Sequence, residues 1–189
     1  MKIYFLGGSF DPPHLGHLRI AEYFSKKCDL FLFIPAKKSP FKRYNPIASS
    51  LQRLHMLALL TEKVKKSKIE TFELDGTSPS YTYLTIKYIK KKYSSNDLNM
   101  IIGKDNLNGL NKWKNFKFIT QNCNIICVNR NIKESDSLFY PKNISFVDFD
   151  ENVSSSMIKD LLKSSQYLKI KKMIDKNVLD YIKDNNLYK

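Results

Sequence analysis

Gly7-Gly8-Ser9-Phe10-Asp11-Pro12-Pro13-His14-Leu15-Gly16-His17 follows the apolar run Ile3-Tyr4-Phe5-Leu6 and precedes a helical pattern. The apolar run is short, β-branched and aromatic, as in a strand buried on both faces of a parallel sheet. Two glycines end it; lacking Cβ atoms, they are expected to reach positive φ and to let a ligand lie against the backbone. Asp11 and Pro12 each precede a proline, which disfavours helical geometry, so the helix is predicted to start at about Pro13. His14 and His17 then share one helix face at an N-terminus, beside free N–H groups and the positive end of the helix dipole. Strand, glycine turn and helix start thus converge on an anion site carrying two imidazoles. The alternative is one histidine decorating a helix end and the other packing in the core.

Outward from this stretch, apolar runs alternate with helical periodicity. Leu15, Leu18, Ala21 and Phe24 recur at helical spacing, and Leu30 to Ile34 is a second buried strand. A strongly helical segment spans Ala48 to Lys66, and Ile69 to Leu74 alternates like a strand. A helix through Tyr93, strands at Asn99 to Ile102, Asn124 to Val128 and Ile144 to Phe149, and small C-terminal helices complete the pattern. The fold class expected is α/β: a doubly wound parallel sheet in a single domain, residues 1–189, with the site at the carboxyl edge of the strands. The C-terminal helical part begins at about Ser154.

The 189 residues carry a formal net charge of +14 and a pI near 9.6. Such a balance raises the question of nucleic acid, whose binding would weaken steeply with salt. The lysines are scattered through nearly every segment, however, and the densest group, Lys87, Lys90, Lys91 and Lys92, sits at a helix end that favours cations. Neither nucleic acid nor a membrane is therefore expected as partner. No segment has the length of a membrane span or the pattern of a cleavable signal, and a cytoplasmic location is expected. Cys123 and Cys127 are separated by strand-like residues, which would hold the thiols about 13 Å apart; with Cys28 isolated, no zinc site is expected.

Four further segments are candidates for the site. The loop from Pro35 to Pro46 carries Lys37, Lys38, Lys42 and Arg43 at the end of a parallel strand; it is either a solvated basic loop or a ligand contact. Ser80-Tyr81-Thr82 starts a helix, with Ser80 the expected cap. Gly103-Lys104-Asp105 lacks the glycine spacing of a phosphate-binding P-loop, and Trp113 follows among polar neighbours, either as a lid on the core or as a face for a flat ring. Ser154-Ser155-Ser156 with Lys159 opens another helix, as redundant capping or as a second phosphate cradle.

His14-Leu15-Gly16-His17 after a glycine turn resembles the signature of the nucleotidyltransferase superfamily. Ser80-Tyr81-Thr82, the Gly103-x-Asp105…Trp113 pattern and the Val153 to Lys159 run are similar to segments of its nicotinate mononucleotide adenylyltransferase branch. The resemblance implies transfer of AMP from ATP to nicotinate mononucleotide, giving deamido-NAD and pyrophosphate in NAD biosynthesis. It implies His14 and His17 as catalytic phosphate holders, and ATP contacts from Gly7, Gly8, Ser9, Phe10, Gly103, Asp105, Ser154, Ser155, Ser156 and Lys159. Mononucleotide contacts fall on Lys42, Ser80, Tyr81, Thr82 and Trp113. Mg²⁺ is implied with the ATP, not in a protein cage. Partners are then ATP and the mononucleotide, with room for a homo-oligomer. The chain departs from the pattern at Phe41, where the loop has histidine, and at Lys159, where the last motif has arginine. Phosphopantetheine adenylyltransferase shares the histidine signature but lacks the Ser-Tyr-Thr and Gly-x-Asp…Trp segments.

Overall fold

In the computed structural model, which describes residues 1–40, 44–76, 79–129, 143–149 and 152–189, six parallel strands form one sheet ordered β3-β2-β1-β4-β5-β6. The strands are β1 (Lys2–Gly8), β2 (Leu30–Pro35), β3 (Ser67–Ile69), β4 (Asp97–Gly103), β5 (Asn124–Asn129) and β6 (Ile144–Asp148). The chain winds outward from β1 to β3, then returns to the other side of β1 with β4. That reversal places a topological switch point between β1 and β4, and in open parallel sheets ligands bind outside the strand carboxyl ends at such a point. Gly7, Gly8 and Gly103 lie there.

Alternation along the central strands explains why helices cover both faces. Tyr4, Leu6, Phe31 and Phe33 enter one core with α1 (Leu15–Ser25), α2 (Ser50–Thr61), α7 (Ser155–Lys163), α8 (Tyr167–Ile170) and α9 (Lys176–Asp184). Ile3, Phe5, Leu30, Leu32 and Ile34 enter the other, against α4 (Thr82–Tyr93), α5 (Lys104–Leu107) and α6 (Phe116–Asn122). Phe31, Leu32 and Phe33 are all at 0% exposure, each such side chain contributing about 1.5–3 kcal/mol by burial.

Three local expectations are corrected. Helix α1 begins at Leu15, with His14 as its extended N-cap and His17 in the third helical position. The alternating run at 69–74 is a strand only to Ile69, after which Phe72–Asp75 forms the short helix α3. The cause is tertiary: Glu70, only 5% exposed, accepts hydrogen bonds from Lys92 (2.8 Å), Tyr88 (2.7 Å) and Tyr93 on α4, while Phe72 stacks on Tyr88 at 4.3 Å. Helix α2 is shorter than the periodicity suggests. It opens with a reciprocal Ser49–Gln52 capping box and leaves Leu51 78% exposed.

Candidate active site

Two cavities meet at the carboxyl ends of β1 and β4. The larger, about 790 Å³, is lined by Gly7, Gly8, Ser9, Phe10, His14, His17, Gly103, Asp105, Ser154, Ser155, Ser156 and Lys159, among others. The smaller is lined by Ser80, Tyr81, Thr82, Thr85, Glu73, Trp113 and Lys114, and shares Gly7, Gly8 and Ser9 with its neighbour. The fold therefore brings the two histidines and the serine run, about 140 positions apart in sequence, around one cleft. Lys42 lies outside the described residues.

The glycines act by absence of a side chain and not by backbone twist. No glycine among the described residues has positive φ, whereas Phe10 does, at 48°. A Cβ on Gly7 would meet nothing within 4 Å, so the strand end offers open backbone to the cleft, and a Cβ on Gly8 would reach the Phe10 ring at 3.3 Å. A left-handed aromatic residue is costly and persists only where its surroundings fix it. Phe10 is 1% exposed, edge-on to His17 at 4.9 Å and to Phe33 at 6.0 Å.

The start of α1 is built from the histidines themselves. The His14 N–H donates to His17 Nδ1 at 3.2 Å, so the His17 imidazole accepts there and its neutral form carries its proton on Nε2 as a donor. The two rings stack at 3.7 Å. Expected bare amides are partly spent: Leu15 N–H donates to the Met173 carbonyl at 2.9 Å and His17 N–H to His14 at 2.9 Å. The imidazoles, more than a ring of free amides, supply donors on this wall. Gly16 makes room for them, since a Cβ there would sit 3.1 Å from His14 Nδ1 and 3.0 Å from Val153.

Burial pushes the His14 pKa down to about 4, so this imidazole is neutral at pH 7. Among the described residues its buried Nδ1 has no hydrogen-bond partner of normal geometry. Because the folded value lies below the unfolded one, near 6.5, the unfolded chain binds a proton between pH 6.5 and 4 that the native state refuses. Stability is thus present above that window and is lost as pH falls through it. We expect His14 alone to cost on the order of 2 kcal/mol between pH 7 and pH 5. Urea unfolding of the wild type and His14→Asn over this range checks it: the variant should have the flatter profile, and parallel profiles would contradict the burial effect.

On the opposite wall, the serine run divides its work. Ser154 is the N-cap of α7, accepting from Met157 N–H at 3.1 Å, while Ser155 donates to the Pro12 carbonyl at 2.8 Å and so ties α7 to the histidine loop. Ser156 is exposed at the cleft. Lys159 Nζ lies 3.3 Å from Asp11.

In the smaller cavity, Ser80 is not the cap expected. Tyr81 is the N-cap of α4, and its side chain makes no capping hydrogen bond. The Ser80 hydroxyl instead accepts from Lys37 N–H at 3.0 Å and bonds Glu73, joining the loop after β2 to the α4 start. Glu73 also accepts from Thr85 at 2.5 Å, and burial raises its pKa. Trp113 is half-buried; it packs against the core cluster and also lines the cavity. Lys114 Nζ sits 4.5 Å above the Tyr81 ring.

Two buried groups behind the site escape a reading of the sequence. Asp11 is 3% exposed and accepts from Ile47 N–H (3.0 Å), Ala48 N–H (3.0 Å), the Tyr188 hydroxyl (2.8 Å) and Lys159. Burial raises its pKa, but the two amides, Tyr188 and Lys159 outweigh that and hold it low. Arg53, 1% exposed, donates to the carbonyls of Ser9 (2.6 Å) and Ala36 (2.8 Å), the ends of the turns after β1 and β2. One local signal points to it: Arg53, Leu57 and Leu60 fall at i, i+4 and i+7, so a cation stands in the buried stripe of α2.

Comparison with known proteins accords with this geometry. Residues 5–161 match the family model described as cytidylyltransferase-like. A probable nicotinate-nucleotide adenylyltransferase of Methylacidiphilum infernorum is 35% identical over 193 residues, covering 99% of this chain and 92% of that protein. One from Staphylococcus epidermidis is 34% identical, covering 99% and 97%. Among solved structures, Plasmodium falciparum nicotinic acid mononucleotide adenylyltransferase complexed with NaAD shares the fold. Its TM-score is 0.82 at 22% identity, over 99% of this chain and 97% of that one. End-to-end similarity of this kind, on a sheet whose switch point gathers the paired histidines and the serine run, means that the chain belongs to the nicotinate-nucleotide adenylyltransferases of the cytidylyltransferase-like family.

Proposed function

We propose that this protein joins nicotinate mononucleotide to the AMP moiety of ATP, releasing pyrophosphate and forming deamido-NAD in the route to NAD. The observation that carries this reading is the pair of cavities sharing Gly7, Gly8 and Ser9: one has phosphate-type donors on two walls, the other an aromatic wall beside the start of α4, which the Tyr81 side chain leaves uncapped. ATP occupies the larger cavity and the mononucleotide the smaller, so that its phosphate meets the α-phosphorus over the open backbone of Gly7.

In this mechanism a mononucleotide phosphate oxygen forms a bond to the α-phosphorus as the bond to the bridging oxygen breaks, and pyrophosphate leaves with that electron pair. No covalent enzyme intermediate is required. Phosphoryl-type transfer is accelerated mainly by positioning and by stabilising charge on oxygen. His17 Nε2–H and the neutral His14 donate to the phosphates, Lys159 supplies the positive charge, and Ser156 a hydroxyl. Gly103 and Asp105 flank the nucleoside end. Lys42 and the α4 start at Ser80, Tyr81 and Thr82 take the mononucleotide's anionic groups, and Trp113 faces its ring.

Among the described residues no three His, Cys, Asp or Glu side chains converge as a metal site, and Asp11 is already occupied by four donors. A divalent cation, Mg²⁺ in this proposal, would enter with the triphosphate as part of the substrate and offset its negative charge. Among the described residues no helix is long and apolar enough to cross a membrane; a cytoplasmic location is proposed with the activity.

Incubating the protein with Mg-ATP and, in turn, nicotinate mononucleotide, nicotinamide mononucleotide and phosphopantetheine tests the proposal. Pyrophosphate should appear with the nicotinate form, and its absence there would overturn the reading. Trp113→Ala removes one face of the mononucleotide cavity. A lost stacking contact of about 1–3 kcal/mol predicts a roughly 5- to 150-fold higher KM for the mononucleotide with KM for ATP unchanged. Steady-state kinetics with each substrate varied decides it, and an unmoved mononucleotide KM would assign the indole to the core alone.

A further inference from the structure

The last helix feeds the penultimate residue back under the active site. After α9, Asn186 N–H donates to Lys183 at 3.1 Å and Leu187 N–H to Ile182 at 3.0 Å, which turns Tyr188 inward. Tyr188 is 3% exposed, has φ of 64°, and its hydroxyl donates to Asp11 Oδ1 at 2.8 Å, across 177 positions of sequence. Oδ1 also accepts from Ala48 N–H; Oδ2 accepts from Ile47 N–H and from Lys159 Nζ. Of these four contacts the Lys159 contact is the longest, at 3.3 Å against 2.8–3.0 Å for the others. It is also the one made by a flexible side chain that lines the larger cavity.

We propose that Tyr188 is a positioning residue for the nucleotide: its hydroxyl keeps Asp11 satisfied while Lys159 leaves that carboxylate for the triphosphate. The proposal rests on the reading of the larger cavity as the ATP site. A buried carboxylate needs donors, and charge-assisted pairs are the strong ones. With Tyr188 and two amides in place, Asp11 retains three hydrogen bonds after Lys159 swings to a phosphate oxygen. Without the hydroxyl, it holds the ammonium harder, and the nucleotide must draw Lys159 away at greater cost. The tail thus acts on ATP through Asp11 and Lys159, touching neither the nucleotide nor the smaller cavity.

The test is a double-mutant cycle of Tyr188→Phe and Lys159→Met, read as Kd for a nonhydrolysable ATP analogue and, separately, for nicotinate mononucleotide. Tyr188→Phe keeps the ring and loses one hydroxyl. It should weaken the analogue roughly three- to tenfold, the scale of one hydrogen bond, with mononucleotide affinity unmoved. In the Lys159→Met background the same change should have no further effect. An equal loss in both backgrounds, or a matching loss for the mononucleotide, would make Tyr188 a general structural prop and overturn the proposal. If Tyr188→Phe does not fold, the ¹³C carboxyl signal of Asp11 in the wild type takes its place. That signal should move when the analogue binds, and a stationary signal at saturation would overturn the exchange. Because these are binding measurements, absence of pyrophosphate release would sink the proposed reaction while leaving intact what the cycle says of Tyr188.

Discussion

His17→Ala is expected to lower kcat/KM by about 10²–10³, the effect of removing one preorganised donor from a transition-state anion. Two functions are fused in this side chain: Nδ1 caps the helix by accepting the His14 N–H at 3.2 Å, and Nε2–H is the donor assigned to the phosphate. The ring also supports its neighbour, stacked at 3.7 Å. Alanine removes all three contributions, so a loss of activity by itself would not separate capping from chemistry. Asparagine does separate them, because its short amide can accept from an N-cap N–H but cannot extend to where Nε2 lies. His17→Asn should therefore unfold at nearly the wild-type denaturant midpoint while remaining as inactive as the alanine variant. Recovery of kcat/KM in the asparagine variant would reduce His17 to a capping residue.

The division between what the chain discloses locally and what it hides follows from the range of the forces involved. Strands β1, β2, β4 and β5 are legible because a strand covered on both faces must be apolar almost throughout, and the histidine turn is legible because its residues are contiguous. The run at 69–74 misleads because alternation there is set by Glu70, whose donors Tyr88, Lys92 and Tyr93 come from 18 to 23 positions away. For Ser80 the local rule predicts a cap, yet its hydroxyl serves Lys37, 43 positions back. The glycine turn stands where its residues place it but for a different reason: open space at Gly7 and contact at Gly8, with the strained φ at Phe10. Asp11 stands inside the same contiguous stretch, but its partners lie 36, 37, 148 and 177 positions off, and no local pattern announces them. Both walls of the cleft can be named from motifs, whereas in the polar core that holds the walls in register only Arg53, a cation in the apolar stripe of α2, leaves a local trace.

That polar core is the reason Arg53→Met should be the most destabilising substitution near the site. The guanidinium bridges the carbonyls of Ser9 and Ala36 and donates to Ser50 at 3.3 Å, so one planar fork joins the turns after β1 and β2 to the first turn of α2. Burial works against its charge, and the nearby Asp11 and Tyr188 offset part of that penalty. Methionine fills similar volume and keeps the apolar stem, so the loss isolates the hydrogen bonds. Two charge-assisted bonds at about 1.5–3 kcal/mol each give an expected destabilisation of about 3–6 kcal/mol, with two carbonyls left unpaired in the interior. For a chain of this length that corresponds to a thermal midpoint lower by about 6–24 °C. Arg53→Lys should recover only part of it, because an ammonium lacks the fork that reaches both turns at once. Since Ser9 leads directly into Phe10 and the histidine loop, any folded fraction of the methionine variant should also bind both substrates more weakly, unlike Trp113→Ala, which discriminates between them. Thermal unfolding together with both KM values decides the matter: a midpoint within about 2 °C of wild type would show that the carbonyls find other donors, and that Arg53 does not hold the two turns together.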